Sequence, residues 1–579
     1  MPGNSKSLWD AVRIANDKNV TGLPETLYFE GVELQNNNKP TAFGDLFFNK
    51  VKNITEQTLT NPNVYNGHIK ITEHLDFSFG EKEVGECIQS LKTKNCEGFD
   101  RIPQRVLTDG INELKPPLTI LFQKILKQKK IPEQWSISKI IPIHKKGPKQ
   151  NIENYRPIAN LCSATKIFER LILTQLQKLE SLNGIDLTGI NQHGFKKNRS
   201  TATLGLEIQS LIARALDENN HVLMASIDLS SAFDVVNIEL LLKRLRLLGM
   251  PVVLVELIKV WLSDRCFYVE VDGLTSKFYN SISGTIQGSI LGPILYAIFV
   301  SPLFDLIELY NFADDNFSLS YNQNIEMAKN QLITKLQIAT TWLTDSGLKV
   351  NDSKTELCKF HKNDTTQVEI VLNNVIIKSK NTMNVLGVEF DSKLNWNPHI
   401  NKAILKSNKS LYAIKLIRKY FNSKEILNLL TSNYYSILYY NSEIWHLPSL
   451  SPETKQMLLS ASANALKISQ KKTNPMQSFV NIHKECNRAT PERMSLYKHA
   501  LLLYRLYNTN LPEMDWIALN FQQINATRQT TFKIVKSNNY KVGNNIITNR
   551  LHSLNNLIPL MNLNDSLSSF KIKCKKSLL

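Results

Sequence analysis

Acid is in short supply in this chain. Across 579 residues, 51 Asp and Glu face 69 Lys and Arg, a formal net charge of +18. Positions 397–424 hold no acid at all, and the last 50 residues hold eight Lys or Arg against Asp565 alone. A positive surface spread along the chain suits a long polyanion, because each neutralised phosphate releases counterions. Charge alone leaves a merely basic soluble protein equally open. Paired cysteines are also lacking. The seven cysteines form no Cys-x-x-Cys pair and sit at no zinc-finger spacing from histidine, which excludes a zinc ribbon or a disulfide framework. An odd, scattered set reads as reduced intracellular thiols. Long apolar runs are missing too. The longest, 290–304, is broken by Gly292, Pro293 and Pro302 and is too short to cross a bilayer, so it reads as buried core and no membrane partner is expected. Residues 1–13 contain no apolar signal region.

What is present is enough apolar material for a large folded protein, 42% of residues, which excludes a mostly disordered chain. Residues 1–75 are rich in Asn, Thr and Lys with little apolar patterning. Val84, Cys87, Ile88 and Leu91 recur at helical spacing, and 118–126 reads as a helix opened by Pro116 and Pro117. Short strands and helices then alternate to about 395. The expected strands are 135–144, 222–229, 309–312, 317–321, 368–377 and 385–390, with a turn at Asn373-Asn374. The expected helices are 238–248 and 325–343, and 266–271 with 277–283 should form a hairpin turning at Asp272-Gly273. Beyond 396, Ile400, Ile404, Leu411 and Ile414 trace an apolar helical face opposite Lys402, Lys406 and Lys409.

Two acidic features stand out. Asp228 closes a hydrophobic strand, and Asp314-Asp315 occupy a tight turn between apolar strands. Adjacent acids there are costly unless a cation neutralises them. Magnesium favours hard oxygen ligands and leaves positions for substrate phosphates, and two such ions can serve nucleotidyl transfer. An Asp-Asp pair by itself is usually just part of a surface turn, so order and context decide.

That order resembles the reverse transcriptases of non-LTR retrotransposons, jockey-like elements in particular. The resemblance covers about 93–395. IIPIHKK at 140–146 and NYRPI at 154–158 are similar to the first fingers motif, and QHGFKKNRST at 192–201 to the second. IDLSSAFD at 227–234 resembles motif A, GTIQGSILGP at 284–293 motif B, and FADD at 312–315 motif C. GLKVNDSKT at 347–355 resembles motif D and VLGV at 385–388 motif E. Any one is weak; the full series in sequence is specific. The series departs at Asn316, where threonine often stands, and at Thr285-Ile286, where valine-proline is more usual.

The resemblance implies an α+β right-hand polymerase: fingers, a palm with an antiparallel sheet carrying the acids, a helical thumb, and a helical C-terminal region. It implies RNA-templated DNA synthesis from a 3′-hydroxyl primer, with template RNA, primer or target DNA and deoxynucleoside triphosphates as partners. Asp228, Asp314 and Asp315, with the carbonyl of Leu229, would hold two Mg²⁺ ions, with Mn²⁺ able to substitute. Phe233 would act as a gate against the ribose 2′-hydroxyl, with ordinary core packing as its alternative. Gln287 and Gly288 would line the nucleotide pocket. Arg156 and Lys145 would bind the triphosphate, or remain solvated cations. Lys196, Lys197 and Arg199 would meet the template backbone, and Lys402, Lys406 and Lys409 the duplex. Lys354 is a candidate proton donor to pyrophosphate, or simply an electrostatic partner.

The expected organisation is a connecting segment over 1–75 without the endonuclease such elements carry, fingers and palm over 76–395, thumb over 396–480 and a basic helical region over 481–579. An intracellular location is expected, in nucleus and cytoplasm. An RNA-templated RNA polymerase and a decayed or repurposed nucleic-acid-binding remnant are the competing readings.

Overall fold

A computed structural model describes residues 23–58, 60–65, 70–73, 77–91, 96–364, 366–446, 450–470, 477–507, 521–526, 529–534 and 566–578. Most of the connecting segment's start and much of 481–579 lie outside these residues. The long N-terminal helix α1 (Lys39–Gln57) was not expected from its Asn- and Lys-rich sequence. Its Phe43 and Phe47 are buried and fasten it to the core. Helix α2 (Ile111–Gln128) begins more than a turn before the expected start and carries Pro116 and Pro117 inside it. Gly110 caps it, and the buried face of Thr119, Phe122 and Ile125 holds it together despite the missing donors.

Strands β1 (Ile137–His144) and β2 (Tyr155–Asn160) pair antiparallel, and Ile143 stands opposite Arg156. Helices α3 (Ser163–Asn183) and α4 (Thr201–Asp217) follow, then β3 (His221–Ile227). Strand β4 (Cys266–Val271) joins β1 in parallel, so β1, β2 and β4 share one sheet. The expected hairpin after β4 is split into two short strands, Leu274–Thr275 and Tyr279–Asn280, with the turn at Asp272-Gly273 as anticipated.

Helix α5 (Gly292–Val300) leads to the hairpin of β5 (Tyr310–Phe312) and β6 (Asp315–Asn322). Helix α6 (Ile325–Asp345) follows, then β7 (Glu356–Phe360), β8 (Glu369–Leu372) and β9 (Val375–Lys380). These build a six-stranded sheet ordered β5-β6-β3-β7-β9-β8. It is antiparallel around the acids but not throughout, since β7 and β9 run parallel. The run 385–390, expected as one strand, is a hairpin of Thr382–Val385 and Val388–Asp391. Leu386 and Gly387 make its turn at positive φ.

Period-two alternation explains why β3 reads as almost continuously apolar. Leu223, Ala225 and Ile227 face one core, shared with Leu332, Leu336 and Ala339 of α6. Val222 and Met224 face a second core, shared with Leu204, Ile208 and Ile212 of α4. The strand is therefore buried on both faces and ends rigidly at Asp228. Helix α7 (Asn397–Ile417) joins that second core through Ile400, Leu411 and Ile414. The described residues from 397 to 470 are otherwise helical. The C-terminal region is not wholly helical: Phe521–Ala526 pairs with Gln529–Ile534 as a hairpin. No helix among the described residues is long and apolar enough to cross a membrane.

Candidate active site

The acids converge because of register. Strand β6 pairs with β3 so that Asn316 stands opposite Ile227. Asp228 and the Ala313-Asp314 turn thereby lie at the same end of adjacent strands, with Asp315 opening β6. Asp314 and Asp315 reach solvent and Asp228 is half-buried. Enclosure by the surrounding protein, and then the neighbouring charges of Asp314 and Asp228, push the Asp315 carboxyl up to about 6. Lys145 and Arg156 act on the same carboxyl in the opposite sense.

The cations come from three directions. Lys354, in the short helical turn Asp352–Lys354, sets its Nζ 3.4 Å from Asp228 Oδ2. The neighbouring Asn351 N–H donates to the Asp228 carbonyl at 2.8 Å. Lys145 follows β1 and donates its backbone N–H to the Asn154 carbonyl at 2.8 Å. Loss of hydration, then the charges of Arg156 and Lys354, lower its pKa, partly offset by Asp228. These mutual influences put Asp228, Asp314, Asp315, Lys145, Arg156 and Lys354 in one electrostatic neighbourhood.

Phe233 lies at the edge of this group. Its ring packs on Tyr296 of α5 at 4.5 Å between centroids and meets Phe195 edge-on at 6.2 Å. The Tyr296 hydroxyl is pushed well above its ordinary pKa by burial, and further by Asp314 and Asp315. The Phe233 carbonyl accepts from the Thr285 N–H at 2.7 Å, tying motif A to the loop before α5. In that loop the Gln287 carbonyl accepts from Ala159 of β2 at 2.8 Å, while the buried Gln287 Oε1 has no hydrogen-bond partner. Gly288, at φ +119°, is required there, since a Cβ would lie 2.4 Å from the Ala159 carbonyl oxygen. Leu229 continues from Asp228 in the two-residue strand Leu229–Ser230, paired with Lys349–Val350.

Some expected nucleic-acid contacts are otherwise engaged. Lys196 is engaged within the protein: its ammonium is mostly buried and held by Asp186 and the Gly189 carbonyl. Arg199 points inward, its Nη1 2.9 Å from His193 Nε2, beside a buried Glu207 whose carboxyl burial raises to about 7. Lys197 is exposed. On α7, Lys402 is paired with Glu389 at 2.6 Å, while Lys406 and Lys409 are exposed.

Other residues support the site without having been assigned a role in the sequence. Glu169, buried in α3, accepts from Ser289 Oγ and from the Ile290 N–H at 2.9 Å, anchoring the start of α5. Asn316 donates to the Asp314 carbonyl at 2.8 Å and to the Ile227 carbonyl at 3.4 Å, joining the backbones of both acidic segments. Among the described residues, no group of three or more His, Cys, Asp or Glu is spaced as a ready metal cage. The donor chemistry still fits a hard divalent cation: oxygen ligands, and a carboxyl raised by burial and then by like charges that a cation would relieve.

The arrangement is an acidic hairpin turn beside an acid-ended strand, with Lys145, Arg156, Lys354 and the Phe233 ring around it. Residues 143–390 match the family described as reverse transcriptase (RNA-dependent DNA polymerase). The match covers that stretch, less than half of the chain. The chain is 30% identical over 333 residues to "Probable RNA-directed DNA polymerase from transposon BS" of Drosophila melanogaster, covering 55% of this chain and 36% of that protein. It is 29% identical over 334 residues to "RNA-directed DNA polymerase from mobile element jockey" of the same organism, with the same coverage, 55% and 36%. The match thus spans little more than a third of these relatives. A solved structure of apo telomerase from Candida tropicalis is 15% identical, covers 64% of this chain and 62% of that one, and has a TM-score of 0.35, too low to bear on detail.

Proposed function

We propose that this chain is an RNA-directed DNA polymerase of a non-LTR retrotransposon, extending a 3′-hydroxyl primer on an RNA template. The six-stranded sheet is then the palm, the β1-β2-β4 sheet with its helices the fingers, and the helices from 397 the thumb. The observation that carries the reading is the common neighbourhood of Asp228, Asp314 and Asp315 with Lys145, Arg156 and Lys354 around them. Asp228, Asp314, Asp315 and the Leu229 carbonyl would hold two Mg²⁺ ions, which would supply activation of the 3′-hydroxyl and stabilisation of the leaving pyrophosphate.

The remaining residues have their own work. Arg156 and Lys145 neutralise the triphosphate, the arginine through a fork of donors that matches phosphate oxygens. Lys354 rests on Asp228 and is close enough to meet the charge that develops on pyrophosphate. Phe233, backed by Tyr296, is the ring that would stand against a ribose 2′-hydroxyl. Gln287, whose buried Oε1 has no hydrogen-bond partner, would line the pocket for the nucleotide or template. Lys197, Lys406 and Lys409 are free to contact phosphates. The seven unpaired thiols suit a reducing intracellular setting, nucleus or cytoplasm.

The test is single-nucleotide incorporation on poly-A annealed to oligo-dT with Mg²⁺, comparing dTTP with UTP. Incorporation of dTTP in strong preference to UTP is expected. Preference for UTP would make the chain an RNA polymerase. Salt-sensitive RNA binding without incorporation in Mg²⁺ or Mn²⁺ would make it a nucleic-acid-binding remnant.

A further inference from the structure

The motif C turn is not held by its own hairpin alone. Ala313 sits at φ +61°, a left-handed conformation that a residue with a Cβ adopts only when its surroundings impose it. The side chain that faces it is Gln192, fully buried. Gln192 Oε1 accepts from the Ala313 N–H at 2.9 Å and from the Gly194 N–H at 2.8 Å. Its Nε2 reaches the Ala313 carbonyl at 3.5 Å, so one amide engages both backbone groups of the residue before Asp314.

The loop that carries Gln192 is fixed against the same hairpin. The His193 N–H donates to the Asn311 carbonyl at 2.8 Å, and the Asn311 N–H donates to the Asn191 carbonyl at 3.0 Å. Gly194 lies so close that a Cβ would stand 2.4 Å from the Ala313 nitrogen. One residue further on, Phe195 presses edge-on against Phe233. A single four-residue loop therefore touches the acidic turn at one end and the aromatic beside the sugar site at the other.

We infer that Gln192 is a positioning residue that clamps Ala313 in its left-handed conformation and so aims the Asp314 carboxylate toward Asp228. The catalytic consequence rests on the polymerase reading above; the clamp itself does not. Replacing Gln192 by leucine keeps roughly the volume and removes every side-chain hydrogen bond. The Ala313 N–H is left buried without an acceptor, and the turn is free to relax toward an ordinary conformation. Asparagine keeps the amide but is one methylene too short to span Ala313.

Two measurements on the full chain test this. The first is amide hydrogen exchange of wild type, Q192L and Q192N without nucleotide. Exchange over 310–316 should rise at least about tenfold in both variants, while 221–227 stays unchanged. The second is primer extension at saturating dTTP. The expected result is a fall in kcat of about tenfold or more at nearly constant KM, with a higher Mg²⁺ concentration needed for half the maximal rate. Unchanged exchange at 310–316 overturns the clamp, as does faster exchange across the whole sheet, which would mark Gln192 as merely structural. Normal kcat and Mg²⁺ dependence despite faster exchange overturn the aiming role. A wild-type protein without polymerase activity would count against the proposed function, and exchange would still decide the clamp.

Discussion

Lys354 rests its ammonium 3.4 Å from the carboxylate of Asp228, a residue 126 positions earlier in the chain. The pair is exposed, so it contributes about 0–1 kcal/mol to stability. Under the proposed function its consequence lies in chemistry, because it sets a cation beside an acid proposed to hold the metal ions. K354A should lower the rate of primer extension about 100-fold with RNA affinity and melting temperature nearly unchanged. K354R separates charge from proton donation, since arginine keeps the charge but does not release its proton near neutral pH. Pre-steady-state dTTP incorporation by the two variants is the measurement. Equal, wild-type rates in both would remove Lys354 from the mechanism.

Sugar selection is expected to lie in Phe233. F233A should raise UTP incorporation relative to dTTP about tenfold or more, read as the ratio of kcat/KM values. The ring is only partly buried, so its removal should cost about 2 kcal/mol, below the ~3–5 kcal/mol of a fully buried phenylalanine. An unchanged ratio would return Phe233 to the role of ordinary packing.

Gly288 makes a prediction from geometry alone. At φ +119° and with the Ala159 carbonyl 2.4 Å from where a Cβ would lie, G288A must push the Gln287 loop away from β2. Extension should fall at least about tenfold, with a raised KM for dTTP, while far-ultraviolet circular dichroism stays native. G273A, at a positive-φ turn with nothing near its Cβ position, serves as the control for backbone strain without displacement.

Acid should weaken the seat of the basic helix α7. His399 lies buried at its start, with Nδ1 accepting from the Glu389 N–H at 3.2 Å. Burial lowers its pKa from 6.5 to about 4. The unfolded chain therefore binds a proton that the folded chain refuses, and stability drops as pH falls from about 6.5 toward 4. Thermal melts of wild type and H399Q across that window are the check. The wild-type melting temperature should decline more steeply than that of H399Q; parallel curves would contradict the assignment.

Much of this was legible in sequence for physical reasons. The Ala313-Asp314 turn could be read because apolar strands on both sides leave the acids nowhere but a hairpin end. Likewise β3 was visible as an uninterrupted apolar run, although its burial between two cores was not. Other features depend on partners that only the fold brings into contact. Lys196 reads as a template contact until folding brings Asp186 to it. Gln192 reads as any loop amide until it is found bracketing Ala313. The hairpin around Leu386 escaped notice because a leucine at positive φ carries no turn chemistry, and only Gly387 hints at it. Helix α1 escaped notice because its hold on the core is a few apolar residues, Phe43, Phe47 and Ile54, among polar ones.

The central claim is that Asp228 and the Asp314-Asp315 turn form one catalytic centre. Extension of oligo-dT on poly-A by wild type and D314A, assayed side by side with Mg²⁺, tests it most directly. Extension by the wild type and its loss by at least about 10³-fold in D314A, at equal RNA affinity and folding, is the predicted result. Extension by D314A at a rate near the wild type's would contradict it.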